Sequence, residues 1–205
     1  DYRLAPETRW QGSLEDNYAG LKWLFTNAEK LGADRTRIAV MGGSAGGGHA
    51  ALLAIAARDR GEVPLALQVL SYPMLDDRTG ATRKVADHIG TIAWRRQDNS
   101  FGWRSFLGQE PGGRNVPSGA VPARVANLAG LPPAFIGVGA IDLFVDEDIE
   151  YARRLVDAGV STELHVVPGA FHGFDDAAPD ASISRQFKTA KLNALRRAFG
   201  LPISS

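Results

Sequence analysis

Cysteine is absent from all 205 residues. This excludes a disulfide framework, a thiolate metal site and a cysteine nucleophile, and leaves either redox compartment open. Charge of one sign is equally lacking: 23 basic residues balance 23 acidic ones, and no run reaches five like charges. A nucleic-acid or anionic-membrane surface is therefore not expected, and a small neutral or apolar ligand fits better. No apolar stretch approaches the length of a membrane span, and the first residues lack the regions of a signal peptide. A cytoplasmic location is the working expectation. No pair of histidines has metal-ligand spacing with a third ligand nearby, so neither a metal nor another cofactor is expected.

What is present is an ordinary globular composition, 44% hydrophobic and 22% charged, able to bury one core. Without internal repeats, low-complexity tracts or a convincing linker, residues 1–205 read as one domain. Ser13 followed by Asp16 suggests a capping box, after which Leu14, Tyr18, Leu21, Leu24, Phe25, Ala28 and Leu31 recur at helical spacing up to Gly32. Residues 37–41 form a short apolar run entering a glycine cluster, and residues 45–60 read as a helix ended by Gly61. A further β-like run spans residues 65–72. Residues 76–133 are irregular, with some helix marked by Trp94, Phe101, Trp103, Phe106 and Leu107, and this insertion is a candidate contributor to a lid. Regularity returns with a strand at 134–139, a helix at 146–158, a strand at 162–167 and a last helix at about 180–199. Alternating strands and helices predict an α/β fold with a mostly parallel sheet and helices on both faces. Residues 1–4 look like the end of another strand, and the strand candidates are few for such a sheet. The expectation is that N-terminal strands and part of a cap lie upstream.

Three residues carry chemical promise. Gly42-Gly43-Ser44-Ala45-Gly46 contains G-x-S-x-G at a strand-to-helix junction, where a nucleophile on a strained turn is exposed above the sheet. Gly42 and Gly46 supply the small flanking positions, and the Ala45 N–H is the natural oxyanion donor at the helix N-terminus. The motif alone equally describes a glycine turn that merely lets a helix pack on a strand. A phosphate-binding reading is weaker, because no Gly-Lys-Ser/Thr ending follows. A serine needs a base, and His172 lies in a loop directly after strand 162–167. His165 falls within that strand, His49 on the helix behind Ser44 and His88 in the insertion, all with structural roles expected. The base needs an acid, and Asp142 follows strand 134–139. Asp146, Glu147 and Asp148 are read instead as first-turn residues that cap the next helix. Together Ser44, Asp142 and His172 fall beyond the C-terminal ends of three separate strands, where open α/β sheets bind ligands.

Through DYRLAPE, GGSAGGGHAA, LSYPMLD, DLFVDEDIEYARRLVDAG and GAFHGF, the sequence resembles the hormone-sensitive-lipase-like family of bacterial esterases with the α/β-hydrolase fold. The resemblance covers nearly the whole chain and implies a Ser44–Asp142–His172 triad acting without a cofactor on small short- to medium-chain acyl esters. It also implies a second oxyanion donor upstream of residue 1. Two departures are Gly43, where the family usually has Asp, and Leu143-Phe144-Val145, where Pro-Leu-Arg is common. A non-catalytic ligand-binding protein on this scaffold and an amidase using the same triad are the alternatives. Oligomeric state stays open, with a homodimer among the options.

Overall fold

Residues in the middle strands alternate between two apolar layers, and this alternation sets the architecture. In the computed structural model, which describes residues 1–117 and 119–203, four parallel strands form one sheet in the order β1-β2-β3-β4. They are β1 (Ala39–Gly43), β2 (Leu67–Ser71), β3 (Ala134–Gly139) and β4 (Thr162–Val167). Ser118, within the expected insertion, and Ser204 and Ser205, at the end of the expected domain, lie outside the described residues. Val40, Leu70 and Ile136 point to one face, where they meet Ala51, Ala54 and Ile55 of α2 (Ala45–Arg60) and Tyr151 and Leu155 of α4 (Val145–Asp157). Val69 and Phe135 point to the other, against Phe187 and Ala194 of the last helix (Ser182–Ala198). Every residue of β2 and β3 is buried, as parallel strands covered on both faces require. The in-register pairs Gly42↔Leu70 and Gly43↔Ser71 bring the ends of β1 and β2 to one level, and β3 and β4 run on together to Gly139 and Val167.

The expected strands at 134–139 and 162–167 and the helix at 45–60 stand where the sequence places them. Differences arise where side chains find distant partners. Helix α1 (Trp10–Asn27) begins before Ser13, which is buried inside it with its hydroxyl donating to the Trp10 carbonyl. Asp16 closes no capping box, because its carboxylate accepts the backbone N–H and guanidinium of Arg3 at 2.8–2.9 Å. Residues 1–4 therefore form no strand: they are held on α1 by Arg3. Helix α1 stops at Asn27, and a short 3₁₀ turn leads to the left-handed Gly32. β1 starts two residues later than expected, since Asp34 holds Thr36 and Arg37 in a turn, and it runs on through Gly42 and Gly43.

The insertion contains α3 (Arg96–Leu107), whose Trp103 and Leu107 join the core. Its irregular parts hang on buried polar anchors. The sealed carboxylate of Asp77 accepts Arg124 at 2.6 and 3.0 Å and the Gly112 N–H at 2.7 Å. Asp76, also sealed, pairs with Arg78 and Arg83. Such carboxylates persist in a core only when paired or hydrogen-bonded this fully.

Candidate active site

Ser44 joins β1 to α2 at φ 56° and ψ −125°, a conformation that L-residues rarely adopt and that costs about 1–3 kcal/mol. Surrounding backbone bonds hold it there. The Ser44 N–H donates to the Ser71 carbonyl at 3.0 Å, and the Ser44 carbonyl accepts from Gly48 at 3.1 Å and Met74 at 3.0 Å. Three glycines make the turn possible. A Cβ on Gly42 would stand 2.2 Å from the Gly46 carbonyl oxygen, one on Gly47 2.8 Å from Pro73, and one on Gly48 2.3 Å from the Met74 carbonyl oxygen. Gly46 itself has open space where a Cβ would stand, so the close approach assigned to it by sequence is made by Gly47 and Gly48 instead. A Cβ on Gly43 would meet the Tyr72 ring at 3.4 Å, an ordinary contact. Ala45 is the first residue of α2, so its N–H has no acceptor within the helix.

The Ser44 hydroxyl lies 2.8 Å from Nε2 of His172, and Nδ1 of His172 lies 2.9 Å from Oδ2 of Asp142. Asp142 is sealed from solvent and its Oδ1 accepts the Phe144 N–H at 3.0 Å, so the carboxylate is fixed from both oxygens. With Nδ1–H donated to the carboxylate, Nε2 is left as the acceptor for the serine proton. The loops that carry Asp142 and His172 interlock: the Ile141 N–H donates to the Ala170 carbonyl, and a Cβ on Gly139 would stand 2.2 Å from that same oxygen. Around the imidazole stand Tyr72, at a centroid distance of 5.0 Å, Phe144 at 5.2 Å and Trp94 at 6.1 Å. His172 as a residue is only 9% exposed, so bulk water has little access to it.

The other histidines stand elsewhere. His165 is half-exposed on β4, paired with Glu163 and against the Phe135 ring, and His88 is exposed. His49 sits between Tyr2 and Phe106, tilted to the first and edge-on to the second. Among the described residues no cluster of His, Cys, Asp or Glu is arranged to hold a metal ion.

Glu147 and Asp148 depart from the capping role. Both side chains are sealed in the interior rather than turned to the N-terminus of α4. Oε1 of Glu147 accepts the backbone N–H groups of Leu75 at 2.6 Å and Asp76 at 3.0 Å, tying α4 to the segment that holds the Ser44 carbonyl. Burial pushes the Glu147 carboxyl up to about 8. Asp148, with neither oxygen partnered, is pushed well above the carboxylate range by burial and by its acidic neighbours.

Sequence reasoning also missed Tyr72. Its backbone lies at φ 38°, its N–H donates to Gly137, and its hydroxyl donates to Asp175 at 2.8 Å, while Asp175 accepts Lys191 at 2.9 Å. Its position directly after β2, whose end is level with that of β1, was the available signal. Beside Ala45 opens a cavity of about 250 Å³, walled by Tyr2, His49, Leu52, Met74, Trp103 and Phe106.

Comparison with known proteins bears on this arrangement. Residues 1–176 match the model of a family described as alpha/beta hydrolase fold. The chain is 38% identical over 210 aligned positions to carboxylesterase NlhH of Mycobacterium tuberculosis, covering 97% of this chain and 62% of that protein. It is 39% identical over 176 positions to esterase LipI of the same organism, covering 85% of this chain and 54% of LipI. Among solved structures, a bacterial heroin esterase superposes with a TM-score of 0.90 at 42% identity, covering all of this chain and 64% of its own. The chain thus spans less than two thirds of the length of each of these proteins.

Proposed function

Since the chain belongs to the alpha/beta hydrolase fold family, on its hormone-sensitive-lipase-like branch, we propose that it carries the catalytic centre of a serine carboxylesterase. The observation that carries this reading is the Ser44–His172–Asp142 relay, with contacts of 2.8 and 2.9 Å between residues delivered by three different strand ends. Chance packing has no need to line up a hydroxyl, an imidazole and a sealed carboxylate in that order.

In the proposed reaction His172 Nε2 takes the Ser44 proton as Oγ attacks the ester carbonyl. The carbonyl oxygen becomes an oxyanion against the Ala45 N–H, with a second donor expected upstream of residue 1. Asp142 stabilises the imidazolium without taking its proton. Collapse of the adduct breaks the bond to the alkoxy oxygen, which leaves as the alcohol with the proton from His172, and an acyl-Ser44 ester remains. Water, deprotonated by His172, then attacks that ester and releases the carboxylic acid with Ser44 regenerated. Esters of short- to medium-chain acids are the proposed substrates, in keeping with the apolar cavity beside Ala45.

Hydrolysis of p-nitrophenyl butyrate by the full chain is the direct test, together with covalent capture of Ser44 by a fluorophosphonate. Ser44→Ala is expected to lower kcat by roughly 10⁴-fold or more and to abolish labelling. Unchanged turnover in that variant removes the serine assignment, and absence of both turnover and labelling in the native protein favours a ligand-binding role.

A further inference from the structure

The cavity beside Ala45 is walled largely by apolar and aromatic side chains, with Arg3, Ser13 and the His49 ring as polar members. Arg3 is engaged by Asp16 and the Ser13 hydroxyl by the Trp10 carbonyl. Along α2, Ala45, Gly48, His49 and Leu52 fall at helical spacing, and all four line the cavity. Its wall therefore runs along the helix away from Ser44. His49 sits one turn beyond Ala45, a rise of about 6 Å.

The state of that ring follows from its surroundings. Tyr2 lies at a centroid distance of 4.6 Å and Phe106 edge-on at 5.3 Å, and burial pushes the imidazole below its ordinary value of 6.5. It is thus neutral near pH 7, with one N–H. The side-chain amide of Asn17 lies 3.4 Å from Nδ1 and donates to it, which assigns the proton to Nε2. Nε2 makes no hydrogen bond to any described residue. A donor without an acceptor beside an apolar cavity is costly to cover with hydrocarbon and favourable to cover with an oxygen.

Resting on the esterase reading above, we infer that His49 is a specificity-determining residue. It selects esters whose cavity-bound part carries a keto or ether oxygen about one helical turn from the scissile carbonyl. The oxygen accepts the Nε2–H bond, while the rest of that group contacts Tyr2, Leu52, Met74 and Phe106. A saturated group of the same shape leaves the donor desolvated and unpaired.

Two nearly isosteric substrate pairs test this in the full chain: p-nitrophenyl levulinate against p-nitrophenyl isocaproate, and methoxyethyl acetate against butyl acetate. The native protein is expected to favour the oxygen-bearing member of one pair by roughly three- to tenfold in kcat/KM. The pair that responds identifies whether the acid or the alcohol side enters the cavity. His49→Leu is expected to erase or reverse the preference, and His49→Gln, which keeps an N–H donor, to retain part of it. A native protein without preference in either pair overturns the inference whether or not the variants fold, and so does a preference that His49→Leu leaves intact. Ser44→Ala separates the two levels: if it hydrolyses these esters as well as the native protein, the esterase reading fails and the inference falls with it. If Ser44 is required but the ratios ignore His49, only the inference fails.

Discussion

At the residue scale, the site is governed by where a Cβ can stand and which backbone angles are tolerated. Gly42 and Gly46 look equivalent in G-x-S-x-G, but their surroundings differ. A methyl on Gly42 meets a carbonyl oxygen at 2.2 Å, whereas Gly46 faces open space at ordinary helical angles. Gly42→Ala is expected to lose at least about 2 kcal/mol of stability through overpacking. Gly46→Ala is expected to be neutral or to gain up to about 1 kcal/mol from helix propensity. Urea unfolding midpoints of the two variants check the contrast, and equal losses contradict it. Tyr72 supplies a second test at this scale. Its ring packs on His172 and its hydroxyl pins Asp175, three residues further along the chain. In Tyr72→Phe the ring stays and the tether goes. kcat is expected to fall roughly tenfold with KM little changed, since a small displacement of the imidazole is felt mainly at the chemical step. A variant with native kcat would make the tether irrelevant to His172.

At the element scale, helices are tied to loops by groups whose protonation matters. Glu147, on the first turn of α4, accepts two backbone N–H groups of the segment after β2, and burial raises its carboxyl to about 8 from an ordinary 4.5. The folded chain therefore holds a proton that the unfolded chain has released. That contribution to stability is fully present below pH 4.5, declines as pH rises, and is lost as pH passes through about 8. Asp148, raised by burial, acts with the same sign. Glu147→Gln keeps an acceptor for Leu75 and Asp76 but removes the titration. Its urea midpoint is expected to drop less than the native one between about pH 5.5 and 8.5. Identical slopes would show that Glu147 does not titrate in that window. The two acids also show why some of the site was illegible in the sequence. Acidic residues in a first helical turn are ordinary capping groups, and only the seating of α4 against residues 75 and 76 turns them inward. The Ser13–Asp16 signal failed for a related reason: Arg3 captured the carboxylate.

At the scale of the whole molecule, charge is balanced and the proposed substrates are neutral, so long-range steering has little to act on. kcat/KM for a neutral ester is expected to change less than about twofold between roughly 0.05 and 0.5 M NaCl, and a steep salt dependence would point to an anionic substrate. The sequence by itself determined the alternation of strands and helices, the strands at 134–139 and 162–167, and the order in which Ser44, Asp142 and His172 follow strand ends. Each of these is written in local patterns, apolar periodicity and glycine punctuation, that need no distant partner to be read. Tertiary structure alone decided which glycines are sterically required, that Tyr72 and Glu147 brace the site, and that His49 faces a cavity with an unspent N–H. Those properties belong to contacts between segments tens of residues apart, which exist only once the sheet has brought its strands into register.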